Sequence, residues 1–125
     1  MANIEGPVYQ ILVVDDEPTV CKAIQMMLTY YGHEVQIAEG GETALALFDK
    51  NYFDLVITDY MMPDIKGDVL VKLIKQRRPA QRILMATAFA EDFLIHGQPS
   101  GGVDHVVSKP FSLAELRAAI AKVMG

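Results

Sequence analysis

Short apolar runs alternate along this chain with longer segments in which apolar residues recur every three or four positions. The short runs have the length and β-branched character of buried strands, so we predict strands at 11–14, 34–38, 55–58, 83–86 and 105–108. The longer segments predict four helices, which begin near Pro18, Gly41, Gly67 and Glu91. A fifth helix follows the capping box that Ser112 forms with Glu115.

The alternation of strand and helix predicts an α/β fold, a doubly wound (βα)5 unit whose five-stranded parallel sheet has helices on both faces. The fourth helix is expected to be short or irregular, because glycines and a proline follow its start: Gly97, Pro99, Gly101 and Gly102. Inside a helix each glycine costs about 1 kcal/mol relative to alanine, and a proline about 3 kcal/mol.

Four of the predicted strands end in residues that carry chemistry. Asp15 and Asp16 follow the first strand, Asp59 the third, Thr87 the fourth and Lys109 the fifth. The carboxyl ends of parallel strands meet at one edge of the sheet, so these side chains should lie close together. Carboxylates at ~4 Å repel by about 1–4 kcal/mol per pair, which favours a cation between them. Oxygen ligands indicate Mg²⁺ or Mn²⁺ rather than zinc.

A carboxylate beside a hard cation can also act as a nucleophile toward phosphorus. Asp59 is then the candidate acceptor, with Lys109 and the Thr87 hydroxyl suited to hold oxygens of a transferred phosphoryl group.

Composition narrows the class of protein. At 125 residues the chain is expected to be one domain, 1–125, with its core at about 10–123. A net charge of −5 argues against direct contact with nucleic acid, and the basic cluster of Lys72, Lys75, Arg77, Arg78 and Arg82 is predicted to be the solvated end of a helix. There is no apolar run of membrane-spanning length, and the single cysteine fits a reducing cytoplasm.

The motifs together resemble a response-regulator receiver domain of bacterial two-component systems, of the chemotaxis-receiver kind. They are Asp15-Asp16, Asp59 with Met62-Pro63-Asp64 and Gly67, Thr87, and Lys109-Pro110-Phe111, in that order. The resemblance implies the flavodoxin-like strand order 2-1-3-4-5. It also implies a signalling domain rather than a turnover enzyme, although such a domain promotes its own phosphorylation and dephosphorylation.

By the same resemblance, Asp59 takes a phosphoryl group from a histidine kinase or phosphotransfer protein. Asp16, Asp59 and the backbone carbonyl of Met61 would bind Mg²⁺ directly, and Asp15 would act through a metal-bound water. Lys109 would hold the phosphate next to a cis Pro110, and Thr87 would move toward it as the switch. The signal would then reach a downstream protein partner or an output domain, so the chain is either a stand-alone receiver or part of a larger regulator or hybrid kinase.

One position departs from the family pattern and bears on that switch. Val106 stands three residues before Lys109, where relatives usually have an aromatic ring that turns inward, so aromatic switching is not expected here.

Two other functions remain open. The chain could be an interaction module that keeps this fold and works independently of phosphorylation. It could also be a flavodoxin-like cofactor binder, but neither a GxGxxG nor a GxxxxGK[ST] loop follows the first strand, and the acids there would repel a flavin phosphate.

Overall fold

The structure of the protein, a computed structural model, describes residues 6–93 and 101–125. Five strands form one parallel sheet in the order β2-β1-β3-β4-β5, which confirms the predicted fold. The strands are β1 Gln10–Val14, β2 Glu34–Ala38, β3 Leu55–Thr58, β4 Arg82–Thr87 and β5 His105–Ser108. The helices are α1 Pro18–Tyr30, α2 Gly41–Lys50, α3 Gly67–Arg77, α4 Ala90–Phe93 and α5 Leu113–Met124.

Helices cover both faces of the sheet, so each central strand is buried on two sides. In β1, Leu12 and Val14 pack in the core on the side of α2 and α3, whereas Ile11 and Val13 pack on the side of α1 and α5. Because successive side chains of a strand point to opposite faces, a fully apolar strand fits between two helical layers.

The predicted signals at the starts of α1 and α5 are present, and a glycine follows the end of α1. Pro18 lies in the first turn of α1, and Gly32 follows that helix in the left-handed region at φ 88°. Ser112 Oγ accepts from Glu115 N at 3.1 Å, while Glu115 Oε1 accepts from Ser112 N at 2.9 Å. The capping box sets the start of α5, and Pro18 suits the start of α1.

The fourth helix is described only in part. It runs from Ala90 to Phe93, and residues 94–100, which include Gly97 and Pro99, lie outside the described residues. The chain resumes as a turn in which Gly101 and Gly102 have φ values of 68° and 91°. Helical geometry is therefore excluded at those two glycines.

The basic cluster lies at the end of the sheet opposite the carboxyl ends of the strands, and it is more than a solvated helix end. Lys75 Nζ donates to Gln81 O at 2.6 Å, Arg78 donates to Phe53 O at 3.1 Å, and Arg82 donates to Val123 O. Backbone carbonyls in loops and at helix ends lack a partner in regular secondary structure and attract these cations. Most of the cluster therefore stabilises loops and helix ends of the fold by hydrogen bonds.

Candidate functional site

The acids that follow β1 and β3 lie together because these strands are neighbours that end level with each other. Val14 is paired with Thr58, and Asp59 N donates to Val14 O at 3.0 Å. One carboxylate oxygen from each of Asp15, Asp16 and Asp59 lies within 4.8 Å of the other two. We call these three residues the acid cluster. Asp15 and Asp59 are buried, at 1% and 7% exposure, and Asp16 is half-buried.

Lys109, which follows β5, bridges two members of the acid cluster. Its Nζ donates to Asp15 Oδ2 at 2.5 Å and to Asp59 Oδ2 at 3.0 Å. The peptide bond between Lys109 and Pro110 is cis. The ammonium offsets part of the repulsion between the acids, since opposite charges at this distance attract strongly when they are shielded from water.

Burial and the charged partners act in opposite directions on the pKa values of Asp15 and Lys109. Burial raises the pKa of Asp15 most, the hydrogen bonds from Lys109 and Glu17 N lower it, and the balance is a raised pKa. For Lys109, burial lowers the pKa, but the hydrogen bonds to Asp15 and Asp59 outweigh burial and raise it. An ionised Asp15 is thus held at a cost that a further cation would reduce.

Thr87 is the last residue of β4, and Met61 lies in the loop that follows Asp59. Thr87 is fully buried at the end of β4, where its Oγ1 accepts from Phe89 N at 3.1 Å and its carbonyl accepts from Lys109 N at 3.0 Å. Met61 is two residues after Asp59, and its side chain is exposed. The roles of the Thr87 hydroxyl as a switch and of the Met61 carbonyl as a metal ligand stay predictions.

The loop from Asp59 to Lys66, here the β3–α3 loop, is closed tightly at its base. Asp59 Oδ1 accepts from Tyr60 N at 2.6 Å, and Gly67 N donates to Tyr60 O at 2.6 Å. A Cβ on Gly67 would lie 2.1 Å from Asp59 O, so only glycine fits against the backbone of the acid. Gly67 is therefore part of what orients Asp59.

Sequence reasoning missed two groups that support the site. Cys21 Sγ lies 3.2 Å from Asp15 O, and burial, with the nearby Asp15 charge, raises the pKa of the thiol to about 11. Asp64 accepts hydrogen bonds from Gly41 N and Glu42 N at the start of α2. The Gly40-Gly41 pair that receives Asp64 was the available signal, but a pair of glycines before a helix also fits an ordinary turn.

The donor set of the cluster fits a hard divalent cation. Three carboxylates offer oxygen atoms close together, two of them on buried residues, and oxygen-only ligation suits Mg²⁺ or Mn²⁺. The residues present therefore suit the predicted cofactor.

A doubly wound parallel sheet with acids and a lysine at the carboxyl ends of its strands defines the class of this protein. Residues 11–121 match the family model of the response regulator receiver domain. The chain belongs to this family of two-component signalling domains, as its motifs predict.

Relatives with curated names support the same family. The chain is 38% identical over 118 residues to the probable transcriptional regulatory protein TcrX of Mycobacterium tuberculosis, a match covering 93% of this chain and 50% of TcrX. It is 34% identical over 115 residues to the transcriptional regulatory protein ZraR of Salmonella typhimurium, with 91% of this chain and 26% of ZraR covered. The chain thus spans half or less of the length of these relatives.

Solved structures agree with the fold. The chemotaxis response regulator CheY4 of Vibrio cholerae is similar with a TM-score of 0.85 at 28% identity, covering 94% of this chain and 99% of that one. The response regulator TrrA of Thermotoga maritima, solved in complex with Mg(2+)-BeF, is similar with a TM-score of 0.82 at 34% identity. That match covers 91% of this chain and 97% of TrrA.

Proposed function

We propose that Asp59 accepts a phosphoryl group from a phosphohistidine of a histidine kinase or phosphotransfer protein. A carboxylate oxygen of Asp59 attacks the phosphorus, the phosphorus–nitrogen bond breaks as the new phosphorus–oxygen bond forms, and the leaving imidazole takes up a proton from solvent. The observation that carries this proposal is the position of Asp59, which is buried between two further acids and the Lys109 ammonium.

We assign to the neighbouring residues the roles that the family resemblance implies. Asp16, Asp59 and the Met61 carbonyl would hold Mg²⁺ or Mn²⁺, with Asp15 acting through a bound water. The cation, when bound, supplies positive charge that offsets both the acids and the phosphoryl oxygens. Lys109 already donates to Asp59 Oδ2, and it would pass this hydrogen bond to a phosphoryl oxygen.

Thr87 is proposed to report the modification. Its hydroxyl oxygen accepts a hydrogen bond from Phe89 N. A hydrogen bond from this hydroxyl to a phosphoryl oxygen would therefore move the loop that begins at Ala88. Val106 is half-buried and packs against the core on the α2 and α3 side. We propose that the change at Thr87 is passed on without an aromatic ring at this position.

The wider setting follows from the family. The chain is a signalling domain rather than a turnover enzyme. We propose that it forms one receiver domain over residues 1–125 and works in the cytoplasm. We also propose that it promotes the phosphorylation and dephosphorylation of its own Asp59. No helix among the described residues is long and apolar enough to cross a bilayer. The prediction of no contact with nucleic acid is not confirmed, because the curated relatives are transcriptional regulators and a longer form of this protein could carry a similar output region.

The alternative of a phosphate-independent interaction module is not favoured. Such a module needs no cation-binding acids, whereas here three acids and a lysine are kept together despite their cost of burial. The flavin-binding alternative is disfavoured for the same reason, since these acids would repel a phosphate not accompanied by a cation.

The test is to incubate the protein with Mg²⁺ and acetyl phosphate and to follow its intact mass. The wild type should gain one phosphoryl group, and Asp59→Asn should gain none. Asp49→Asn, which removes an exposed acid on α2, is the matched control and should behave like the wild type. An adduct of undiminished yield in Asp59→Asn, or none in the wild type, would contradict the proposal.

A further inference from the structure

Helix α2 begins without a capping side chain of its own. Its N-cap residue is Gly40, and no side chain within the helix start accepts from the first free N–H groups. Asp64 supplies the cap from the β3–α3 loop: Oδ1 accepts from Gly41 N at 3.1 Å, and Oδ2 accepts from Glu42 N at 3.0 Å. These bonds, led by the one from Glu42 N, lower the pKa of Asp64, so it faces the positive helix end as a carboxylate.

The start of α2 is shaped to receive this loop. A Cβ on Gly40 would lie 2.9 Å from Asp64 Oδ2, and a Cβ on Gly41 would lie 2.7 Å from the Cβ of Ile65. The backbone at Gly40 is extended, with φ −178°, which any residue adopts. The two glycines therefore give space for Asp64 and Ile65 rather than an unusual backbone conformation.

The same contact links the loop to the acid cluster. The turn before α2 follows β2, whose last residue, Ala38, accepts from Asp15 N at 3.1 Å. At the other end of the loop, Tyr60 is held by Asp59 Oδ1 and by Gly67 N. Between these two points, the hydrogen bonds from Gly41 N and Glu42 N to Asp64 join the loop to the segment that follows β2.

We propose that Asp64 is a positioning residue, which fixes the backbone of residues 60–62 relative to the acid cluster by binding the start of α2. The part of this inference that concerns cation binding rests on the proposed function, in which the Met61 carbonyl would hold the cation. A cap that served α2 alone could be replaced by a local side chain. A cap that positions the loop could not.

The structure allows these two roles to be separated. In the variant Asp64→Ala, Gly40→Ser has room for its side chain, because the oxygen that Cβ would meet is gone, and serine is a good N-cap residue. The pair Gly40→Ser/Asp64→Ala thus restores a cap to α2 without the hydrogen bonds that join α2 to the loop. Asp64→Asn removes the charge and keeps part of the cap: its Oδ1 can still accept from Gly41 N and Ile65 N, but its amide nitrogen cannot accept from Glu42 N.

Three measurements are made on all variants, and the first, the melting temperature, reports on the cap of α2. Amide hydrogen exchange in metal-free buffer reports on the Tyr60 N–H, which is bound to Asp59 Oδ1. Tyrosine fluorescence during titration with Mg²⁺ alone reports on the cluster, because Tyr60 adjoins Asp59 and the chain has no tryptophan.

We expect Asp64→Ala to speed exchange at Tyr60 and to weaken Mg²⁺ binding by about tenfold, as loss of a group supporting a ligand does. Gly40→Ser/Asp64→Ala should recover the melting temperature but neither of the other two properties. Asp64→Asn, which keeps the bond from Gly41 N and loses the one from Glu42 N, should fall between the wild type and Asp64→Ala in both properties.

Recovery of Tyr60 protection and Mg²⁺ affinity in the double variant would overturn the inference and leave Asp64 a helix cap. Unchanged exchange at Tyr60 in Asp64→Ala would also overturn it. If the wild type binds no Mg²⁺ while exchange at Tyr60 still responds to Asp64→Ala, the proposed function fails, and the positioning of the loop by Asp64 stands.

Discussion

Replacing Lys109 by methionine removes the ammonium that bridges Asp15 and Asp59 and keeps an unbranched apolar stem. The side chains of the two acids are 2% and 9% exposed, so in the absence of a bound cation their charges lose their main compensation. Removing one partner of a buried ion pair costs about 3–5 kcal/mol. Because the Lys109 side chain is itself 16% exposed and water can reach the site, we expect about 3 kcal/mol, at the lower end of that range.

The expected change in melting temperature follows from the size of the chain. With 125 residues, the entropy of unfolding is about 0.26 kcal/mol per kelvin near the transition, so ~3 kcal/mol lowers the melting temperature by ~11 °C. Mg²⁺ should recover more of this loss in Lys109→Met than it adds to the wild type, because it would take over the compensation of the acids.

The loss of stability in Lys109→Met should depend on pH, because Asp15 can take up a proton. Burial already raises the pKa of Asp15, and loss of the Lys109 hydrogen bond raises it further. A group with a raised pKa in the folded state favours folding at low pH, and this contribution is lost as the pH rises through that pKa. The deficit of Lys109→Met should therefore be smaller at pH 5 than at pH 8.

The assay is thermal unfolding followed by circular dichroism in buffer containing a chelator. Arg77→Met is the matched control, because its ion pair with Asp49 is exposed and such pairs contribute about 1 kcal/mol or less. If Lys109→Met lowers the melting temperature no more than Arg77→Met does, the cluster does not depend on Lys109, and the electrostatic reasoning is refuted.

Three other substitutions test separate parts of the account. Asp59→Asn should stabilise the metal-free protein by about 1 kcal/mol by relieving repulsion, which raises its melting temperature by ~4 °C, and it should reduce the stabilisation by Mg²⁺; an unmoved melting temperature in both conditions would contradict a shared site. Gly67→Ala places a Cβ 2.1 Å from Asp59 O and should cost about 3 kcal/mol in urea unfolding, whereas a cost below ~1 kcal/mol would show that the loop yields. His33 Nδ1 accepts from Tyr9 N at 3.0 Å, and burial lowers the pKa of His33. The contribution of His33 to stability is therefore present above pH ~6.5 and falls as the pH drops below that value. His33→Asn should flatten this fall in stability, and an unchanged slope against pH would exclude His33 as its source.

The sequence was informative wherever a local signal carried the information. Short β-branched runs predicted β2, β3 and β5 with their observed bounds, and a polar residue after each apolar run marked the edge where the acid cluster forms. The spacing of apolar residues predicted burial less well at the edges of the buried face of a helix. Val69 and Val71 are both apolar residues of α3, yet Val69 is 46% exposed and Val71 is buried, because the face of that helix is set by its contact with the sheet.

Contacts between distant segments were beyond sequence reasoning. Asp64 and Gly41 are 23 residues apart. No local pattern near either residue indicates that the loop containing Asp64 caps the helix that begins at Gly41. The bridge from Lys109 to Asp15 spans 94 residues and could be placed only as far as the same edge of the sheet. In both cases the tertiary fold decides the partner.

The central claim is that Asp59, and neither Asp15 nor Asp16, takes the phosphoryl group. The direct measurement is to phosphorylate the protein with acetyl phosphate and Mg²⁺, reduce it with borohydride, which converts an aspartyl phosphate to homoserine, and locate the product by peptide mass spectrometry. Homoserine is expected at position 59 alone. Homoserine at position 15 or 16, or no conversion at any aspartate, would contradict it.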